Sequence, residues 1–506
     1  MPAKSPARRA QPTKDVQPAV VAASLPPVLA AGLVFVASGV VLVLEILSVR
    51  LLTPYVGMTL ETTTSIIGAV LAGIAAGAAL GGWIADRANP RRLAVGLLTV
   101  GGLFVLLTVP IIRALGPLAR DGGNLAAAGV TFAALAPVAA ILSAVTPTVA
   151  RLQLRDLQAS GTVVGRLSAW ATAGALVGTF GTGFVLVPLL PVSSSVLAIG
   201  ILLVLAGVLL GAYTQMFNTS KLLAPVVGLL ALGPVTPLLH SPCDVESTYH
   251  CVRVATDPAR STARLLVLDQ DYNSYVDLKD PTLLVFPYTR WIGDAINAIG
   301  RPKAPLNGVF IGGGGFTLPR WLLATRPGSH AQVLEVDRVL VDVDRDRLGL
   351  RTSPQMRSTI GDARVSLHGV PTGSADVVVG DAFSGLTVPW QLMTIEWLRD
   401  VKRVLRPEGL YALNTIDAPP LGLLRAEAAT LLASFTNVRL ITHTGADRRP
   451  VQDNEVMLAS DGPLPPERSP AAFGATTFDR QAVVQLVAGA ESLRDDYAPV
   501  DQLQTR

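Results

Sequence analysis

From Pro27 to His240 the sequence runs as a succession of apolar stretches, each close to the ~20 residues that carry an α-helix across a bilayer. The stretches are 27–52, 62–85, 93–115, 125–150, 168–190, 196–213 and 222–240. Half of the 506 residues are hydrophobic and only 15% are charged, too apolar a balance for an ordinary soluble protein. The expectation is therefore a multi-pass α-helical membrane domain over residues 27–240, with about seven transmembrane helices. The seventh stretch, which carries Pro225, Pro234 and Pro237, fits the pattern least well. Gly73, Gly77 and Gly81 recur at i, i+4, i+8 and leave one helix face bare, a pattern that lets a neighbouring helix approach closely.

Basic residues set the expected orientation. The N-terminal tail, the loop with Arg87, Arg91 and Arg92, the loop with Arg151, Arg155 and Arg166, and Lys221 would share one side, predicting a cytoplasmic N-terminus in a cell-membrane protein. Residues 1–26 read as a disordered basic tail with no cleavable signal pattern. Seven crossings would put everything after His240 outside the cytoplasm. Cys243 and Cys251 would lie there, where a disulfide can persist. These two cysteines lack zinc-site spacing, and no Cys/His cluster suggests a metal. A net charge of +4 is small for this length and gives no reason to expect nucleic acid as a partner. Glu45 is the one acidic residue deep in a span, and a pair with Arg50 or a bond to a neighbouring helix is the favoured explanation over an ion or proton role.

After His240 short β-rich runs alternate with helical patterns: "NGVFIG", "AQVLEVD", "ADVVVGD" and "GLYALNT" are each separated by amphipathic segments. Strand–helix alternation predicts a doubly wound α/β sheet. Residues 241–300 read as a β lid, 301–460 as a Rossmann-like nucleoside-binding domain, and 461–506 as a C-terminal extension, Pro-rich and then helical. "NVRLITH" and "NEVMLAS" are candidates for closing strands.

In open sheets of this kind ligands bind at the carboxyl ends of the strands. Gly312, Gly313, Gly314 and Gly315 follow the first strand; Glu335 and Asp337 end the second; Gly361, Asp362 and Ala363 follow the third; Asp381 ends the fourth. The glycines suggest a ligand pressed against bare backbone. Neither a dinucleotide fingerprint nor a Walker lysine is present. Glu335 is placed to meet ribose hydroxyls and Asp362 an adenine amino group, so a sulfonium nucleoside such as S-adenosylmethionine or its decarboxylated form is the expected co-substrate. For Asp381 the ordinary alternative to catalysis is a helix N-cap in a strand–helix turn.

These motifs resemble those of the polyamine aminopropyltransferases, the spermidine synthase family on a class I methyltransferase-like fold. The chain looks like bacterial proteins that fuse a multi-pass membrane domain to such a domain. "ESTY" at Glu246–Tyr249, "LVLDQDYNS", "FIGGGG", "LEVD", "GDAR" and "VVVGDAF" follow the family's order, and "LRDDYAPVDQL" is similar to the tail of the membrane-fused group. The resemblance implies that Asp381 accepts the amine proton, that Tyr288 and Asn273 help hold the amine, and that an aminopropyl group passes from decarboxylated S-adenosylmethionine to a polyamine or another amine. It permits a homodimer. Two family acids are absent: Gly315 and Ser384 stand in their places. A diammonium substrate in a dry pocket wants several carboxylates. Methyl transfer from S-adenosylmethionine, with Asp381 as base, therefore stays open beside aminopropyl transfer. So does a non-catalytic polyamine- or nucleoside-binding transporter or sensor.

Overall fold

The computed structural model describes residues 25–56, 60–154, 160–214, 241–383, 385, 388–443, 453–466, 475–487 and 489–504. The seventh expected span, the basic tail up to residue 24 and Ser384 lie outside them.

The N-terminal half is a bundle of α1 (Pro27–Val56), α2 (Leu60–Ala85), α3 (Pro90–Asp121), α4 (Gly123–Ser143), α5 (Val145–Gln153), α6 (Ser160–Gly181) and α7 (Val192–Tyr213). A break at Ala144 separates α4 from α5, and α6 runs on to Leu189 through a π-turn at Thr182–Leu186. Counting these continuous rods once each, six helices among the described residues are long and apolar enough to cross a membrane. Several start earlier than hydropathy suggests, because a polar first turn does not register as apolar. In α3 the Asn89 side chain accepts from the backbone N–H of Arg91 and Arg92, with Pro90 at the first helical position.

The glycine stripe is a packing surface. A Cβ on Gly77 would lie 2.1 Å from the Ala140 carbonyl oxygen, and one on Gly73 2.6 Å from that of Ala136, so α2 and α4 touch backbone to backbone. Outward faces of the bundle stay apolar, with Leu71, Leu80, Phe184 and Leu209 all exposed. Of the two structural partners expected for Glu45, Arg50 or a neighbouring helix, the pair with Arg50 does not form. Five positions apart, the two side chains leave α1 on different faces, and Arg50 donates from Nη1 to the Ser247 carbonyl instead (3.2 Å).

The second half begins with a four-stranded antiparallel lid of β1 (Val245–Glu246), β2 (Cys251–Asp257), β3 (Arg260–Leu268) and β4 (Asp271–Asp277) in sequential order. There follow α8 (Pro287–Asn297), β5 (Asn307–Ile311), α9 (Thr317–Thr325), β6 (His330–Glu335), α10 (Arg338–Arg347), β7 (Met356–Ile360), α11 (Ala363–Ser366), β8 (Ala375–Gly380), α12 (Ile395–Val404), β9 (Leu405–Asp417), α13 (Gly422–Ser434), β10 (Asn437–His443), β11 (Asp453–Ser460) and β12 (Ala475–Phe478). The eight strands from β5 onward order as β12-β10-β11-β9-β8-β5-β6-β7. Strands β5 to β9 run parallel, while β11 is antiparallel to both β9 and β10. This is a Rossmann-like, class I methyltransferase-like α/β fold over roughly half the chain. Strand β12 is an addition to the C-terminal extension read as Pro-rich and then helical, and helices do follow it at Arg480–Leu486 and Val500–Leu503; "ATTF" is too short to show a period and is held by its pairing with β10. Apolar side chains cover both sheet faces, with Trp397, Tyr411 and Leu431 in one core and Ile292, Phe310 and Trp321 in the other.

The two halves meet at the end of the bundle where α1 and α3 finish and α7 begins. Glu246 of β1 accepts from the Ser193 backbone N–H (3.1 Å) and hydroxyl (2.7 Å) and pairs with Arg113 (3.5 Å). Cys243 and Cys251 are joined in a disulfide that ties the entry segment to β2 (Cα–Cα 5.1 Å). The α/β half thus sits at the opposite end of the bundle from the start of α1.

Candidate nucleoside and amine site

Strand order reverses between β5 and β8, and a cleft of about 680 Å³ opens at their carboxyl ends. Gly312, Gly314, Glu335, Asp362, Ala363, Asn273 and Asp381 line it together.

The glycine turn is shaped by protein contacts before any ligand arrives. Gly312 has φ +90°, and a Cβ there would lie 2.4 Å from the Asp381 carbonyl oxygen. Bare backbone is needed because the turns after β5 and β8 press together. Gly314 (φ +46°) faces Asn273 Oδ1, and Gly315 is covered by Ser274 and Val276 of β4, so the lid closes over the loop. The Gly315 N–H donates to Ser274 Oγ (3.0 Å). These contacts revise the expectation that the glycines chiefly accommodate ligand.

Glu335 turns toward the loop. Its Oε2 accepts from the Gly313 N–H at 2.6 Å and its Oε1 from the Asp337 N–H at 2.8 Å. Burial pushes its pKa up, while these two backbone donors pull it down. Each oxygen keeps a lone pair for a further donor. Asp337 is buried and committed to structure: it caps α10 through the Val339 N–H and accepts from Ser247 Oγ (2.5 Å). Asp362 caps the short α11 through the Arg364 N–H (2.7 Å) and leaves its exposed edge on the cleft.

Asp381 is not a helix cap. Thr394 caps α12, accepting from the Trp397 N–H (3.2 Å). The Asp381 carboxylate instead receives Asn414 Nδ2 at 2.8 Å on one oxygen and Tyr288 OH at 3.3 Å on the other. Asn414 in turn accepts from Asn454 Nδ2 (3.1 Å), which fixes the direction of the Asn414 amide. Burial raises the Asp381 pKa to about 6, with the bonds from Asn414 and then Tyr288 opposing it. Burial, and then the neighbouring Asp381, raise that of Tyr288.

Several contributors were not singled out from the sequence. Asn414 is a polar residue inside the otherwise apolar strand "LYALN", a signal that could have been read. His250 follows the "ESTY" motif, lines the cleft, and holds Asp269 through Nδ1 (2.9 Å). The C-terminal extension also reaches the site: Asp495 bonds Arg364 (2.6 Å) and the Thr394 hydroxyl (2.6 Å), and Val500 lines the cleft. Among the described residues no group of His, Cys, Asp and Glu is arranged to hold a metal.

No protein-family model matches the chain. It is 29% identical over 200 residues to the polyamine aminopropyltransferase of Vibrio vulnificus, covering 38% of this chain and 62% of that protein. To the polyamine aminopropyltransferase of Chromobacterium violaceum it is 26% identical over 141 residues, 28% of this chain and 53% of that protein. The chain therefore spans less than two thirds of the length of these relatives. Among solved structures, a probable spermidine synthase from Corynebacterium glutamicum matches with a TM-score of 0.46 and 24% identity, over 51% of this chain and 96% of that one. The spermidine synthase of Thermotoga maritima matches with a TM-score of 0.33 and 16% identity, over 50% of this chain and 80% of that one. Homology to spermidine synthase-like proteins thus extends over part of the chain.

Proposed function

We propose that the protein is a membrane-bound, spermidine synthase-like transferase that passes an aminopropyl group from decarboxylated S-adenosylmethionine to an amine. In this reading Glu335 receives the ribose hydroxyls, Asp362 the adenine amino group, and Asp381 the acceptor nitrogen. The amine nitrogen forms its bond to the carbon beside the sulfonium as the C–S bond breaks. The bonding pair goes to sulfur, giving a neutral thioether, and the ammonium proton passes to Asp381. The leaving group needs little assistance, so the protein's contribution is to hold an unprotonated amine in line. One observation carries the reading: Asp381 is freed from capping duty, oriented by Asn414 and Tyr288, and faces a cleft shared with the braced glycine turn.

Topology enters the proposal through the docking of the two halves. With the basic loops setting a cytoplasmic N-terminus, a domain seated at the far end of α1 lies outside the cytoplasm. The Cys243–Cys251 disulfide suits that side.

Methyl transfer from intact S-adenosylmethionine is a second reading, favoured by Gly315. A glycine at this position carries no negative charge to repel the donor's carboxylate. One assay separates the two. The purified full-length protein is given each donor with an amine, and the nucleoside product is identified by mass spectrometry. Methylthioadenosine indicates aminopropyl transfer, and S-adenosylhomocysteine indicates methyl transfer. Asp381→Asn is expected to lower either rate by roughly 10²–10⁴-fold. Failure to bind either donor would end both readings.

A further inference from the structure

The same cleft opens toward the bundle. Thr63, in the first turn of α2, lines it together with Tyr249 and His250. Tyr249 and His250 also line the crevice between the two halves, opposite Thr53, Pro54 and Tyr55 at the end of α1. A passage lined by the terminal turns of two bilayer-length helices lies at the height of lipid head groups.

The chemistry of the walls agrees with that position. Val336, Leu340, Phe383, Val388 and Trp390 form an apolar side, with Trp390 45% and Val336 36% exposed. Trp390 and Val336 are the exposed members of this side, and an apolar body in the cleft would cover them. On the charged side, the cleft's described residues offer His250 and three carboxylates. Glu335 accepts from the Gly313 and Asp337 N–H groups and Asp362 caps α11; in the transferase reading the free edges of both meet the nucleoside, which leaves Asp381 for the acceptor. A soluble diamine brings a second ammonium, and among the described lining residues no further carboxylate is left to offset its desolvation. An amine with a hydrocarbon body brings a single ammonium and an apolar remainder, and the walls match both.

We infer that the acceptor is an amine-bearing lipid, presented by the bilayer on which the α/β half sits. This rests on the transferase reading above and names its substrate class. The lipid amine takes the alkyl group of the adenosyl sulfonium with the bond changes already described, its proton passing to Asp381. The charge on nitrogen and the hydrocarbon anchor both survive, so the product stays in the membrane.

The test uses the full-length protein in phosphatidylcholine vesicles with alkyl-labelled S-adenosylmethionine or its decarboxylated form. Donor binding is measured first, by calorimetry. Vesicles then carry either phosphatidylethanolamine or dodecylamine, and a third set contains putrescine in the aqueous phase. The expected result is label in the organic extract, exceeding label on putrescine by about tenfold or more, since burying even two methylene groups gives that factor. Label with phosphatidylethanolamine alone identifies the head group as the source, whereas label in both lipid sets assigns any membrane-anchored amine. Trp390→Ser should lower the lipid-to-putrescine ratio, and Asp381→Asn should lower the labelling rate by roughly 10²–10⁴-fold. Equal or greater labelling of putrescine overturns the inference. So does a protein that binds donor and labels no lipid amine, an outcome that leaves the donor site standing. Absence of donor binding instead defeats the transferase reading itself.

Discussion

Removing the amide that orients Asp381 tests the chemistry most directly. In Asn414→Leu the carboxylate loses its closer partner, at 2.8 Å, and keeps only the Tyr288 hydroxyl at 3.3 Å. A hydrogen bond to a charged group contributes about 1.5–3 kcal/mol. At about 1.4 kcal/mol per pKa unit, its loss raises the Asp381 pKa by roughly one to two units. Starting from about 6, the variant should titrate near ~7–8. The sign follows from the role. Asp381 accepts a proton only when ionised, so kcat/KM rises with pH through its pKa. The acid limb of the profile should therefore move to higher pH in the variant. The acceptor amine titrates near ~10, so its free-base fraction adds the same rise with pH to both proteins, and the shift is read from the ratio of variant to wild type. The assay is kcat/KM against pH for wild type and variant with the same donor and amine. A limb that stays in place, or moves to lower pH, would refute the assignment of Asp381 as the proton acceptor.

Other consequences are independent of turnover. Restoring the family acid with Gly315→Asp should impair rather than repair the protein: its Cβ would meet Val276 Cγ2 at 2.9 Å and Ser274 Cβ at 3.0 Å, so a thermal melt should show about 1–3 kcal/mol of lost stability. Glu246→Ala leaves Arg113, 7% exposed, without its carboxylate, and should cost about 3–5 kcal/mol in the coupling of the two halves, read as a lowered melting temperature. Glu427 and Glu455 are buried acids whose pKa values burial lifts to about 8 and about 9. Native protein then holds protons that the unfolded chain releases near pH 4.5, so stability should fall as pH rises from about 5 to 9; Glu427→Gln should flatten that decline, and a melt independent of pH would contradict it. Reporters fused after Cys251 should behave as extracytoplasmic, and cytoplasmic activity would reverse the orientation.

The apolar rods and the order of the α/β elements were legible in the sequence because both are local. A bilayer-length helix needs only its own run of apolar residues, and a buried parallel strand only its own short one. Glu335, Asp362 and Asp381 were legible for a related reason: a doubly wound sheet brings the residues that follow its strands to one edge. What those residues do was not legible. Whether Asp381 caps a helix or faces a cleft depends on Thr394, Asn414 and Tyr288, which stand on three different elements. Gly312 reads as a ligand cradle until the turn after β8 is seen against it. Arg50 reads as a partner for Glu45 until the α/β half arrives with the Ser247 carbonyl. A run or a period is carried by neighbours in sequence, whereas a side chain's partner is chosen among groups that only the folded chain brings within reach.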